Sequence, residues 1–363
     1  MIVLDARTAT PHYPGVGRYT RELARALAPV TELALIVNPL QSGLERELWS
    51  LPARRVSVPH APRSVAQQWA LPARLHGLKA LVYHSPFYLM PYLAGLPTVV
   101  TAFDLIPLHP ASGTPRSQQT AYALAHRLAF MAARRIVTLS DASRQAFIER
   151  FRLREDHITT VAPGLAPRFV PAEPEDLRNA RQKLNLPGQY LLSVGINKPH
   201  KNLVALVQAY AQLPGDAPPL LICGPQDSRY LEVRAAAAQL GSRVRLLGRV
   251  ADDLLPALYS GAHWYVHPAL TEGFGFPVLE AMGCGAPVAC ADIPALREVT
   301  QNGAVYFDPT DSEAMAATLE QILDDTPLRQ AVAERGLRRA RYFTWDRAAE
   351  RMLNVYTQAC APS

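Results

Sequence analysis

The sequence predicts an α/β protein of two Rossmann-like, doubly wound domains facing one another across a cleft. Three observations predict it. Short apolar runs alternate with longer helical patterns, which argues for parallel sheets covered by helices on both faces. The alternation breaks once, in a proline-rich stretch between Pro163 and Pro187. The chain has 363 residues, a length that favours two domains over one.

The strand-like runs of the first half are Ile2–Leu4, Leu33–Val37, Ala80–His84, Thr98–Ala102 and Ile136–Leu139. Those of the second half are Tyr190–Val194, Leu220–Cys223, Val244–Leu247, Trp264–His267 and Pro287–Ala289. Helical patterns cover Arg18–Ala28, Gln119–Ala133, Ser143–Phe151, Leu203–Gln212 and Leu254–Gly261, and a short polar helix is expected before Pro187. The turn-rich run Ala162 to Pro167, followed by Pro171 and Pro174, places the domain boundary near residue 172. The first domain is thus 1–172, the second 173–345, and residues 346–363 form a last helix. Ligands of such folds sit outside the carboxyl ends of the strands, so the expected site faces the cleft.

Apolar residues make up 49% of the chain and charged residues 19%, enough apolar mass for two cores. Residues 1–175 hold 19 Lys+Arg against 12 Asp+Glu, and residues 176–363 hold 18 against 19. The net +6 therefore comes from the first half. No basic run with interleaved aromatics accompanies it, which argues against nucleic acid. An anionic membrane or a phosphorylated lipid suits that basic half better. Cys223, Cys284, Cys290 and Cys360 have neither CxxC nor zinc-ligand spacing and read as thiols of a reducing compartment. No basic and apolar leader opens the chain, and no apolar run reaches about 18 residues. The expected location is the cytoplasm, with peripheral contact to the inner face of the membrane.

The strongest motif is Glu272-Gly273-Phe274-Gly275-Phe276-Pro277-Val278-Leu279-Glu280, after the strand Trp264–His267. Two glycines allow close backbone approach, and Pro277 suits the first turn of a helix, where no N–H donor is needed. The helix should stop at Gly283 and Gly285. A glycine turn at a helix N-terminus is an anion site suited to a diphosphate. Glu280 then has the two acceptor oxygens that match a ribose diol, and Glu272 faces the sugar end of the same ligand. Glu272 capping the helix is the structural alternative.

A second motif, Ser193 to Leu203, also follows a strand and opens a helix. Lys201, with Lys198 as helper, can neutralise diphosphate oxygens as charge develops on a leaving group. A third, Pro14-Gly15-Val16-Gly17-Arg18-Tyr19-Thr20, lies after the first strand and reads as a tight loop touching phosphate or acceptor. Thr20 stands where a dinucleotide fingerprint has its third glycine, so the match to that fingerprint is poor.

In these motifs the chain resembles glycosyltransferase family four, whose fold is GT-B. Further hallmarks are Asp104-Leu105-Ile106-Pro107, Ser140-Asp141-Ala142-Ser143-Arg144, Pro163-Gly164, Gly248-Arg249-Val250 and Phe343-Thr344-Trp345. The likeness is greatest to bacterial mannosyl- and related transferases of O-antigen, capsule or exopolysaccharide synthesis. The resemblance implies a retaining hexosyl transfer from a nucleotide-diphosphate sugar, GDP-mannose first and UDP-glucose second, to a glycan or lipid-linked acceptor. It places Glu272, Lys201 and Asp104 at the reaction. It places Gly15, Gly17, Gly195, Lys198, Arg249, Val250, the Gly273–Phe276 backbone (Gly273, Phe274, Gly275 and Phe276) and Glu280 at the donor. His12, Arg18, His84 and Phe103 are acceptor-side candidates, and the last helix is expected to cross back to the first domain.

Two departures stand out. Phe103 occupies the position where the family usually has histidine, and phenylalanine cannot hydrogen-bond. Ile196 and Asn197 follow Gly195 where the family often has arginine, which shifts that charge to Lys198. There is no Asp-x-Asp element of the kind that holds a divalent ion on a diphosphate, so neither a metal nor another cofactor is expected. A nucleotide-sugar epimerase, a dinucleotide-dependent oxidoreductase and a nucleotide-sugar-binding protein without transfer are the rival readings.

Overall fold

The computed structural model describes residues 1–10, 12–40 and 46–361. Its contacts divide the chain into two compact units, 1–105 with 114–164 and 343–363, and 106–113 with 165–342. Apart from the short excursion of 106–113, the chain changes unit at Gly164/Leu165 and at Tyr342/Phe343, where the sequence reading set its divisions near 172 and 345.

The first unit contains β1 (Ile2–Asp5), α1 (Pro14–Leu27), β2 (Leu33–Val37), α2 (Arg46–Ser50), β3 (Arg54–Ser57), α3 (Gln67–His76) and β4 (Val82–Ser85). Then come β5 (Thr98–Ala102), α4 (Arg116–Ala132), β6 (Arg135–Thr138), α5 (Asp141–Phe151) and β7 (Ile158–Thr160). Among the described residues its strands form one parallel sheet in the order β3-β2-β1-β4-β5-β6-β7. Central strands such as β2 and β5 are buried along their whole length, as a sheet covered on both faces requires. Leu71 and Leu75 of α3, Phe130 of α4 and Phe147 of α5 share one core cluster with Val3, Tyr83 and Val100. These three helices therefore cover the same face of the sheet.

The second unit contains α6 (Pro174–Leu184), β8 (Leu191–Val194), α7 (Leu203–Ala211), β9 (Leu220–Cys223), α8 (Glu232–Gln239), β10 (Val244–Gly248), α9 (Leu255–Ser260) and β11 (Trp264–His267). It ends with α10 (Phe276–Gly283), β12 (Val288–Ala291), α11 (Pro294–Thr300), β13 (Val305–Phe307), α12 (Ser312–Leu323) and α13 (Thr326–Ala340). Its described strands run parallel in the order β10-β9-β8-β11-β12-β13.

The last helix, α14 (Trp345–Cys360), belongs to the first unit. Thr344 caps it by accepting from Arg347 N at 3.3 Å. Trp345 meets Tyr19 edge-on at 5.8 Å, and a Cβ on Gly164 would run into the Trp345 backbone, so the Pro163-Gly164 turn and the helix start are mutually fitted.

Candidate functional site

β11 sits at the centre of the second sheet, between β8 and β12, and its carboxyl end leads into the glycine turn. Gly275 takes φ +94, a left-handed conformation that disfavours any side chain. A Cβ there would also lie 2.5 Å from Leu296 Cδ2. α10 starts at the next residue with Pro277 in its first turn and no side-chain cap. It ends at Gly283, and Gly285 follows with φ +74. Glu272 is therefore not a helix cap.

Glu272 is held instead by two partners. Lys201 Nζ donates to its Oε1, and His267 Nε2 lies 2.8 Å from the same oxygen. Lys201 arrives on a short 3₁₀ turn, Pro199–Lys201, which precedes α7 where the sequence suggested the helix would open directly. Asn202 takes φ +56 between the two. Burial opposes the charge on Glu272, yet Lys201 and His267 hold its carboxyl well below the usual carboxylate range. Burial pushes His267 down, so its imidazole is neutral. The Tyr265 hydroxyl lies 2.9 Å from His267 Nδ1, and burial, with Glu280 and Glu272 nearby, keeps that phenol protonated.

Glu280 is 4% exposed, and its Oε2 accepts from the Tyr259 hydroxyl at 3.1 Å. Tyr259 and Tyr265 meet edge-on at 5.4 Å. The two glutamates of the motif are thus joined through one buried aromatic layer. Tyr259, Tyr265 and His267 were not singled out in the sequence. The available signal was two polar residues, Tyr265 and His267, on the same side of an otherwise apolar strand.

The Gly195 region converges on the same unit. A Cβ on Gly224 would strike the carbonyl oxygen of Gly195, so the two backbones touch. Asn197 is buried and donates to the carbonyls of Asp227 (3.0 Å) and Tyr230 (2.5 Å), while its Oδ1 accepts from Asp227 N. It spends its side chain on fixing the neighbouring loop. Lys198 is half-buried, Arg249 exposed and Val250 buried. Phe274 is buried and packs against Phe276. Among the described residues no group of three or more His, Cys, Asp or Glu is placed to hold a metal.

The remaining candidates lie in the first unit. Asp104 is half-buried, and its carbonyl accepts from the Tyr122 hydroxyl at 2.7 Å. Phe103 packs edge-on to Tyr19 at 5.2 Å. His12 is exposed and Arg18 half-buried.

Two expectations are corrected here. The Pro14–Thr20 segment is not a loop: α1 begins at Pro14, and Thr20 Oγ1 bonds back to Val16 O within it. Gly17 serves close packing, since a Cβ would lie 2.9 Å from the Thr8 and Thr10 carbonyl oxygens. His84 does not face an acceptor. It is fully buried, with Nδ1 2.7 Å from the Tyr356 hydroxyl and Nε2 2.8 Å from Thr101 Oγ1.

Two family models match this chain. Glycosyl transferases group 1 covers residues 176–339, and Glycosyltransferase Family 4 covers residues 13–169. The O-antigen chain mannosyltransferase B of Escherichia coli is 30% identical over 95% of this chain and 96% of its own length. This chain belongs to the family 4 glycosyltransferases. The D-inositol 3-phosphate glycosyltransferase of Salinispora tropica is 29% identical over 99% of this chain and 85% of its own length. The fold is GT-B. The sucrose-phosphate synthase of Thermosynechococcus elongatus superposes with TM-score 0.80 at 21% identity, covering 98% of each chain. Anabaena HepE, solved with UDP and glucose, superposes with TM-score 0.79 at 20% identity over 98% of this chain and 99% of its own. Among the described residues of this glycosyltransferase, no helix is long and apolar enough to cross a membrane.

Proposed function

We propose that this glycosyltransferase moves mannose from GDP-mannose to a glycan or lipid-linked acceptor, with retention of anomeric configuration and without a metal. The observation that carries the reading is the Lys201–Glu272 pair beside the glycine turn that opens α10. The mannose assignment is favoured by the O-antigen mannosyltransferase among the relatives.

In this reading the diphosphate lies over the start of α10, where the helix dipole and first-turn N–H groups favour an anion. Lys201 turns from Glu272 to the diphosphate and takes up the charge that grows as the anomeric carbon–oxygen bond breaks. Glu280 accepts from the ribose hydroxyls. Glu272 faces the sugar, and Asp104 stands at the acceptor side of the reaction. The acceptor hydroxyl bonds to the anomeric carbon from the face the diphosphate leaves, and its proton passes to the departing diphosphate oxygen. A cation on Lys201 does here what a divalent ion does elsewhere.

The test is turnover of GDP-mannose and UDP-glucose with and without EDTA, with the anomer of the product read by NMR. Transfer from GDP-mannose in EDTA, giving the donor's anomeric configuration, is expected. Complete loss in EDTA or an inverted product overturns the mechanism. Preference for UDP-glucose overturns the donor assignment alone.

A further inference from the structure

The carboxyl ends of the central strands of the first sheet carry a group of aromatic side chains that the donor site does not use. In the order β3-β2-β1-β4-β5-β6-β7 the chain runs outward in opposite directions from β1 and from β4, which leaves a crevice where the loops after those two strands part. Tyr13 ends the loop after β1, at the N-terminus of α1. Phe87, Tyr88 and Tyr92 lie in the loop after β4, and Asp104 follows β5.

Ring contacts join these loops into one surface. Tyr13 meets Phe87 edge-on at 5.3 Å, Phe87 lies 4.5 Å from Tyr88, and Tyr88 lies 5.0 Å from Tyr122 of α4. Tyr88 also stacks at 4.2 Å on the buried His126, whose ring reaches Phe130 and Phe147 of the core. The loop after β4 is pinned as well. Ser85 Oγ donates to Phe87 O at 2.6 Å, and Gln68 of α3 donates to Met90 O at 2.9 Å and accepts from Tyr92 N at 3.0 Å. Tyr13, Tyr88, Tyr92 and Tyr122 stay only half-buried, so part of each side chain faces solvent.

The polar tips gather at the same place. The Arg63 guanidinium lies 5.9 Å from the centre of the Tyr13 ring. Burial raises the Tyr88 phenol, Arg63 opposes the rise, and Tyr13, Tyr92 and Asp104 add to it, so all four lie near one hydroxyl. No hydrogen-bond partner among the described residues takes the Tyr88 or Tyr92 hydroxyl.

We propose that this patch binds the acceptor and selects a saccharide ring, which stacks on Tyr13 and Tyr88. A pyranose has an apolar C–H face and a rim of hydroxyls. Aromatic rings with hydroxyl tips match both, and Arg63 and Asp104 add a donor and an acceptor for the rim. An alkyl chain calls for a groove without such tips. A phosphate calls for positive charge, and here the single Arg63 stands among phenols and a carboxylate. The rings are fixed before anything binds, which lowers the cost of ordering them. That the bound saccharide is the acceptor rests on the transfer reading above, whereas its binding does not.

The test is saturation-transfer NMR on the full chain with methyl α-mannopyranoside and methyl α-glucopyranoside, without nucleotide. Binding of at least one, with the strongest transfer to the C–H protons of one ring face, is expected. Tyr13→Leu and Tyr88→Leu should each weaken it about fivefold to tenfold, with nucleoside diphosphate affinity unchanged. Tyr13→Phe, which keeps the ring, should stay within about threefold of the parent. Tyr13→Leu decides if Tyr88→Leu fails to fold, because the Tyr13 side chain makes no capping bond to α1. No binding of either saccharide, a Tyr13→Leu variant that binds like the parent, or displacement of the saccharide by inorganic phosphate overturns the proposal. Saccharide binding without transfer from any nucleotide sugar overturns the donor-site reading instead.

Discussion

His267 Nε2 lies 2.8 Å from Glu272 Oε1, and the Tyr265 hydroxyl lies 2.9 Å from the other ring nitrogen. The protonation of this chain follows from its ends. Glu272 is ionised and can only accept, so Nε2 carries the hydrogen. The ring is neutral, so Nδ1 accepts and Tyr265 donates. His267 therefore holds the Glu272 carboxylate in place without adding charge. His267→Ala should cut kcat about tenfold to a hundredfold and move the affinity for a nucleoside diphosphate little. His267→Gln, which can still donate, should recover part of the loss. Steady-state kinetics with a parallel nucleotide titration check this, and a change confined to nucleotide affinity counts against it.

Lys201 and Glu272 make a second, separable prediction. Their side chains are 15% and 8% exposed, so removing the lysine strands a buried carboxylate. Lys201→Ala should cost about 3–5 kcal/mol of stability, and Lys201→Ala/Glu272→Gln should recover much of it because no uncompensated charge remains. Nucleotide affinity should stay weak in both variants if Lys201 is the diphosphate ligand. Thermal melts and nucleotide titrations read the two effects apart. An affinity restored in the double variant would remove Lys201 from the donor site.

Much of this architecture was written plainly in the chain. The runs Leu33–Val37, Thr98–Ala102, Leu220–Cys223 and Trp264–His267 are the observed strands to the residue, because interior parallel strands are buried along their whole length and so read as short, largely apolar or β-branched runs. β3, β7 and β13 escaped notice, and each is at the edge of its sheet, where one side stays wet and the apolar run is short or broken. The Glu272–Glu280 motif was legible because glycines and a helix-starting proline have few other uses. The Tyr259–Tyr265–His267 support was not, since its logic lies in side chains that meet only once α9 packs beside β11. Gly15 and Gly17 misled in the other direction. Glycine spacing suggests a loop, but Gly17 is present so that a helix can lie close to the Thr8 and Thr10 carbonyls.

Acid should loosen the protein before its carboxylates titrate. Burial pushes His84 down to about 3, and His126 and His200 to about 4. An unfolded histidine titrates near 6.5, so between that pH and these lower values the unfolded chain binds more protons than the folded one. Stability from these residues is complete above pH about 6.5 and drains away as pH falls toward 4 and then 3. Thermal midpoints measured across that range should fall steadily. His84→Gln should flatten the slope while lowering the midpoint at neutral pH, since Tyr356 and Thr101 lose their shared partner. A parent protein with a flat profile from pH 6.5 to 4 would contradict the buried, neutral assignment.

Gly15 and Gly17 stand two residues apart in the first turns of α1, and alanine should act on them with opposite sign. Gly15 is exposed, and nothing lies within 4 Å of where its Cβ would be. In a helix, alanine there removes backbone freedom from the unfolded chain and should stabilise by about 0.5–1 kcal/mol. Gly17 has the Thr8 and Thr10 carbonyl oxygens 2.9 Å from its Cβ position. These are backbone atoms that cannot step aside cheaply, so Gly17→Ala should push α1 away from the Thr8–Thr10 segment and destabilise by about 1–3 kcal/mol. Chemical denaturation of both variants decides the matter. If the segment cradled phosphate as a loop in which both glycines were needed for close approach, Gly15→Ala would instead weaken nucleotide binding and give no gain in stability.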